Sequence, residues 1–314
     1  MRKTKLTSLR LTIPPISNQE AFRFRNDKNM IEYMKNSDFY MIGAKRRLSF
    51  QSCYFNKYNR SLNIYIYEGD VLKGNACLVL SDIINLENIF GIKILITKDK
   101  LYLIIKCFDA NNILVFETYF SVEELLWYRS HESKGIYGLD NYRELSSYEL
   151  LYVGIAKEGD SYERLIKNAH KKRMDILSNE KQRGKNRVSD EVFLFLFELD
   201  PLFITRVDPK DGDVDFNELV EYQHKKIVAD AEKAFVSLLK PNYNEVVFKN
   251  YPKGKDGLYQ LNLDAYGYLI AEDIVFNTND RIIKGYFSPF HDEYKNADCI
   301  IINNDSLTVF TQED

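Results

Sequence analysis

Between residues 135 and 250 a small set of side chains stands in an order that could handle a phosphate ester. Gly135-Ile136-Tyr137 and Tyr152-Val153-Gly154 are two short tyrosine–glycine motifs, and Arg164 follows in SYERL. His170 lies in NAHKKR, Glu232 in DAEKAFVSLLK, and Pro-Asn-Tyr-Asn ends at Asn244. Each type has a use in phosphodiester hydrolysis, which needs an activated water, positive charge for the developing oxyanion and a path for the leaving oxygen. An arginine fork can clamp two phosphate oxygens at once. A single glutamate can hold Mg²⁺ while leaving the ion most of its waters, which suits an ion that dehydrates reluctantly. A tyrosine can relay a proton once a nearby cation lowers its pKa from about 10.

The elements that must position these groups can be read from the pattern. GIYGL and ELLYVGIA are apolar runs separated by a polar stretch, as in a hairpin. SYERLIKNAHKKRMDILS reads as a helix, EVFLFLFEL as a buried central strand, and the span from Phe216 to Leu239 as a long helix. Asp215 and Glu218 cap that helix and Pro241 ends it.

This order of hairpin, helix, strand and long helix, followed by PNYN, resembles the GIY-YIG endonuclease superfamily over about residues 135–250. The resemblance implies a small α/β nuclease module with a mixed or antiparallel three-stranded sheet. It implies that Tyr137 or Tyr152 activates the water, that Arg164 stabilises the transition state, and that His170 binds phosphate or shuttles a proton. Glu232 would ligate one Mg²⁺ or Mn²⁺ ion. Gly154 and Asn244 would support the site, and Lys157, Lys171, Lys172 and Arg173 would meet nucleic acid. Two departures stand out. Fourteen residues separate Tyr137 from Tyr152, more than the family pattern has. Either DNYRELSSYE is an insertion in the hairpin, or GIYGL is not the true first strand. His170 follows Arg164 by six residues, later than is usual, with Asn168 in between.

The flanks read differently. Ser17 and Glu20 form a capping box for a helix over 17–36. Residues 48–120 are a series of β-branched and aromatic runs punctuated by EGD, KDK and DANN turns, and SVEELLWYRS is a short helix. The last 64 residues are strand-like again. These features give an α+β fold: a β-rich domain over 1–130, a nuclease module over 131–250 and a β-rich segment over 251–314. The 314 residues carry a net charge of −3, too little positive charge for a wholly basic nucleic-acid coat. Charge is uneven, however: 164–187 holds nine Lys/Arg and two acids, which could meet a phosphate backbone or form a solvated helix face. Residues 1–130 are basic and 251–314 acidic, so the two ends are expected to pack together.

The four cysteines are scattered without a CxxC pair, which argues against a zinc ribbon or disulfide framework. MRKTKLTSLRLTIPP lacks the apolar core of a signal peptide, and no run of apolar residues could span a bilayer. Together these readings point to a cytoplasmic protein with no membrane partner. DGDVDFNE at 211–218 matches only the back half of a calcium loop and reads as an Asp-rich turn. His224 reads as a hydrogen-bonded core residue, and His131 and His291 as structural. The expected activity is hydrolysis of DNA, with restriction or anti-phage defence as the implied setting; the sequence leaves DNA against RNA open. The alternatives are an inactive nucleic-acid-binding module or a protein-interaction platform, with a protein partner or a second copy on the β-rich flanks.

Overall fold

A computed structural model describes residues 2–168, 170–206, 224–261, 263–289 and 296–311. The Asp-rich turn at 208–218, the helix caps Asp215 and Glu218, and His291 lie outside the described residues.

The chain opens with β1 (Arg2–Leu11), α1 (Asn18–Phe24), α2 (Lys28–Lys35) and β2 (Phe39–Ala44). It continues through β3 (Leu48–Asn56), β4 (Ser61–Glu68), β5 (Val71–Val79), β6 (Gly91–Ile96), β7 (Leu103–Phe108) and β8 (Leu114–Phe120). Next come α3 (Val122–Ser130), β9 (Ile136–Gly138) and β10 (Ser147–Ile155). A π-helical turn (Glu163–Lys167), α4 (Lys171–Asn179), β11 (Val192–Arg206) and α5 (His224–Leu239) follow. The last strands are β12 (Ala265–Ile270), β13 (Val275–Asn277), β14 (Ile282–Lys284), β15 (Cys299–Asn303) and β16 (Ser306–Phe310).

These elements form two compact units that interleave in sequence. One comprises 1–44, 147–181 and 192–314; the other comprises 45–146 and 182–191. The boundaries expected near 131 and 250 therefore do not match the compact units. Residues 1–44 and 251–314 share a sheet with the centre, and the basic span 164–187 is divided between the units.

The first unit is built on a ten-stranded sheet: nine strands follow the path β14-β13-β10-β2-β11-β1-β12-β15-β16, and the two-residue strand Ile16–Ser17 pairs with β11 off that path. β2 lies between β10 and β11 and runs antiparallel to both. Val192 to Phe197 of β11 are all buried, as a continuous apolar run at the centre of a covered sheet requires. The alternation resumes at Glu198 and Asp200, which are exposed on either side of buried Leu199. The N- and C-terminal segments do pack together: β1 and β12 pair in parallel, and Lys3 N–H donates to Asp264 at 2.6 Å. The capping box forms as read, with Ser17 accepting from Glu20 N–H and Glu20 accepting from Ser17 N–H.

The second unit holds a four-stranded sheet, β9-β5-β4-β3, and a three-stranded sheet, β6-β7-β8. Phe50, Leu62, Ile64, Leu103, Ile105 and Leu125 join both sheets and α3 in one core. Arg47 and Glu123 form an ion pair at 2.9 Å, with both side chains fully buried.

Candidate active site

The GIY tripeptide is not the strand that meets YVG. Tyr137 sits on β9 in the second unit, opposite Cys77 of β5, and is 54% exposed. Positive φ angles at Gly138 (78°) and Leu139 (52°) turn the chain out of the strand after three residues, so no hairpin to β10 forms.

The partner of β10 is β2, from more than a hundred residues upstream. Tyr40 stands opposite Gly154, and Tyr152 opposite Ile42, so both tyrosines emerge on one face of the sheet. Their ring centroids are 6.1 Å apart. Gly154 makes this possible. A Cβ there would lie 2.6 Å from Tyr152 Cε1 and 2.8 Å from Tyr40 Oη, closer than packed atoms can come. The last position of YVG is thus fixed by the two phenols that cross it. Tyr40 was missed in the sequence, although the six-residue apolar run FYMIGA, flanked by polar residues, has the signature of a buried strand.

Tyr40 is the hub of the cluster. Arg164 Nε donates to its hydroxyl at 3.0 Å, and His170 Nε2 lies 3.2 Å from the same oxygen. Arg164 can only donate, so Tyr40 keeps its one proton to give, either to Tyr152 or to His170 when Nδ1 carries the imidazole proton. Burial, with Arg164, Arg173 and Lys172 nearby, pushes the His170 pKa down to about 4 and keeps the ring neutral. Its buried Nδ1 has no hydrogen-bond partner among the described residues. The late position of His170 has a local cause. The π-helical turn carrying Arg164 is wider than an α-turn, and the chain breaks at Asn168 before α4 restarts at Lys171. His170 is the N-cap residue of α4, and its ring stands 5.8 Å from each tyrosine ring.

Glu232 lies on α5 and acts electrostatically on the same groups. Burial raises its pKa, and Lys157 and Arg164 oppose that rise. The Tyr40 phenol is pushed far up by burial, then by Tyr152, with Arg164 pulling it back and Glu232 adding to the rise. Tyr152 is raised by burial and Glu232, with Arg164 and the Tyr40 hydroxyl opposing. Glu232 is half-buried and has no hydrogen bond or ion pair among the described residues. Among those residues there is no group of three or more His, Cys, Asp or Glu side chains able to hold a metal, so a bound ion would keep mostly water ligands. One carboxylate with water completing the shell is a donor set that Mg²⁺ or Mn²⁺ accepts.

Asn244 supports the cluster from below. Its amide makes a two-point clamp on Val153, accepting from the backbone N–H at 3.0 Å and donating to the carbonyl at 2.8 Å. Tyr243 N–H donates to Leu151 O at 3.1 Å, so PNYN extends the β10 edge that carries Tyr152.

The surrounding cations differ from the expectation. Arg173 points inward, with Nε on Asn18 Oδ1 and a terminal nitrogen on the Leu165 carbonyl. Burial lowers its pKa to about 10. It is a tie between α4, α1 and the arginine turn, and its donors are turned away from any strand of nucleic acid. Lys172 pairs with Glu245 and, at 3.9 Å, with Asp175. Lys171 and Lys157 are exposed. His224 is hydrogen-bonded to Asp38 at 2.6 Å, but it stands half-exposed at the first described turn of α5 and not in the core. His131 packs on Trp127, with ring centroids 4.1 Å apart.

No family model matches the chain, and no curated protein or solved structure is significantly similar to it. None of the helices among the described residues is long and apolar enough to cross a membrane.

Proposed function

We propose that this chain is a GIY-YIG-type, metal-dependent endonuclease that hydrolyses phosphodiester bonds in DNA. The observation that carries the reading is the Arg164–Tyr40–His170 hydrogen-bonded chain, with Tyr152 beside it and Glu232 bearing on all but the histidine. Three of the five catalytic candidates read from the sequence, Tyr152, Arg164 and His170, are in contact in this cluster, and Glu232 bears on it through charge alone. The fifth place, held in the motif by Tyr137, belongs to Tyr40.

The chemistry follows from the roles each group can fill. Arg164 commits Nε to Tyr40 and keeps its terminal nitrogens for the phosphate, where they would offset charge gathering on the non-bridging oxygens. Tyr40 holds a water by its oxygen and passes its own proton to His170 Nε2 as the water loses one. His170 is a poor base while cations surround it. A phosphate bound at Arg164 and Lys172 would offset those cations and raise its affinity for the proton. Tyr152 provides a second phenol on the same face. Glu232 would hold one Mg²⁺ or Mn²⁺ ion, which supplies positive charge at the phosphate and a more acidic water.

The test is incubation of purified protein with plasmid DNA and Mg²⁺ or Mn²⁺. Nicking or linearisation is expected, and Glu232→Ala should abolish it while retaining DNA binding. Intact plasmid, single-stranded DNA and RNA across pH and both metals would remove the activity. Failure of the Glu232→Ala change to slow cutting would remove the site. One observation favours a second reading, a binding module that does not cut. Both phenols are pushed above their ordinary pKa, opposite to what a proton acceptor needs. Binding that Mg²⁺ and Mn²⁺ never convert to cleavage would select it.

A further inference from the structure

The first unit has a second polar feature, next to the tyrosine cluster and unused by it. A groove of about 480 Å³ is lined by Lys157, Lys225, Lys226 and Lys255 over a floor that includes Ile155 and Val228. None of the four lysines makes a hydrogen bond or ion pair among the described residues. The groove wall also holds two acids: Asp38 bonds His224 at 2.6 Å, and Asp256 pairs with Lys233 and feels the charge of Lys157. Among the described residues, four lysines and two acids line this groove, an excess of positive charge.

The groove adjoins the candidate site in sequence, on the same two elements. Ile155 to Lys157 directly follow Gly154 at the end of β10. Val228 stands one helical turn before Glu232 on α5. Lys157 acts electrostatically on Glu232 itself. The lysines come from three separate segments that line one groove. Lysine binds phosphate without the bidentate geometry that picks out a planar carboxylate or a base edge. Such a surface reads backbone charge and is indifferent to sequence.

We propose that this groove is the track for the nucleic-acid strand adjoining the scissile phosphate, with Lys157, Lys225, Lys226 and Lys255 contacting successive phosphates. The proposal rests on the endonuclease reading, and its test separates the two. Binding of a short fluorescent DNA duplex to the full chain would be measured by anisotropy without divalent metal, from roughly 0.05 to 0.2 M salt. The variant combines Lys225→Ala, Lys226→Ala and Lys255→Ala. Two of these lysines are exposed and the third half-buried, and an unchanged melting temperature would show that the variant folds.

Each lost phosphate contact lowers the slope of log K against log salt by about 0.9, so the triple variant should lose about 2.7. Its affinity near 0.1 M salt should fall on the order of a hundredfold. An unchanged slope, or no binding by the unaltered chain at low salt, overturns the groove. Cleavage is scored in parallel. A reduced slope in a chain that never cuts keeps the groove and removes the endonuclease; cutting with an unchanged slope does the reverse.

Discussion

Tyr40→Phe is the substitution that separates the three-dimensional site from the one written in the linear motif. It removes one oxygen and leaves the ring that packs over Gly154. Two contacts go with it: the 3.0 Å bond from Arg164 and the 3.2 Å contact with His170. Loss of a positioned proton carrier typically lowers a rate by about 10²–10⁴-fold, or about 2.7–5.4 kcal/mol in the barrier. The freed Arg164 Nε leaves a donor near a half-buried position, which adds about 1–3 kcal/mol of folding destabilisation. The assay is single-turnover nicking of plasmid at saturating protein, with urea unfolding alongside. The paired control is Tyr137→Phe, on an exposed strand of the other unit, where the effect on stability should stay within about 0.5 kcal/mol and nicking should be unchanged. Wild-type nicking by Tyr40→Phe, with loss in Tyr137→Phe, would refute the assignment of Tyr40 and restore the GIY tripeptide.

Three further outcomes follow from the same geometry. Gly154→Ala places a methyl against both phenols and should cost about 1–3 kcal/mol in urea unfolding, with a larger loss of nicking than of DNA binding. Asn244→Ala leaves the N–H and carbonyl of Val153 without their clamp, at about 1–3 kcal/mol for each group that water does not reach; equilibrium unfolding measures it, and Asn244→Asp should recover only the acceptor half. His170, with its pKa held near 4 against an ordinary 6.5, is neutral in both folded and unfolded chains above pH 7. As pH falls through 6.5 the unfolded chain takes the proton first, so stability drops until about pH 4, by at most about 3 kcal/mol and less for a half-buried ring. His170→Asn should flatten that part of the stability–pH curve, and an unchanged curve would contradict the desolvated histidine.

Several elements of the fold and members of the candidate cluster were legible without coordinates because their signals are local. The capping box at Ser17 needs only a three-residue spacing, and the buried strand at 192–197 only a continuous apolar run. YVG, Arg164, His170, Glu232 and PNYN lie within one stretch of chain, and the strand carrying YVG and the helix carrying Glu232 follow from their own apolar patterns, whereas the break between Arg164 and His170 does not. What the linear order hid was the partner of β10. Backbone hydrogen bonding between strands carries no record of sequence distance, so β2 could reach β10 across an intervening 102-residue stretch, 45–146, that folds as most of another unit. A nearer tyrosine in a GIY tripeptide then took its place in the reading. The direction in which a charged side chain points was equally closed to the sequence. Arg173 and Lys171 look alike in KKR, yet one turns inward to Asn18 and the other stays in solvent, because only the packing of α4 on its neighbours determines which face is buried. Periodicity fixed the elements; tertiary contact chose the strand pairs and the phenol at the centre, since those depend on which surfaces bury each other and not on which residues are adjacent.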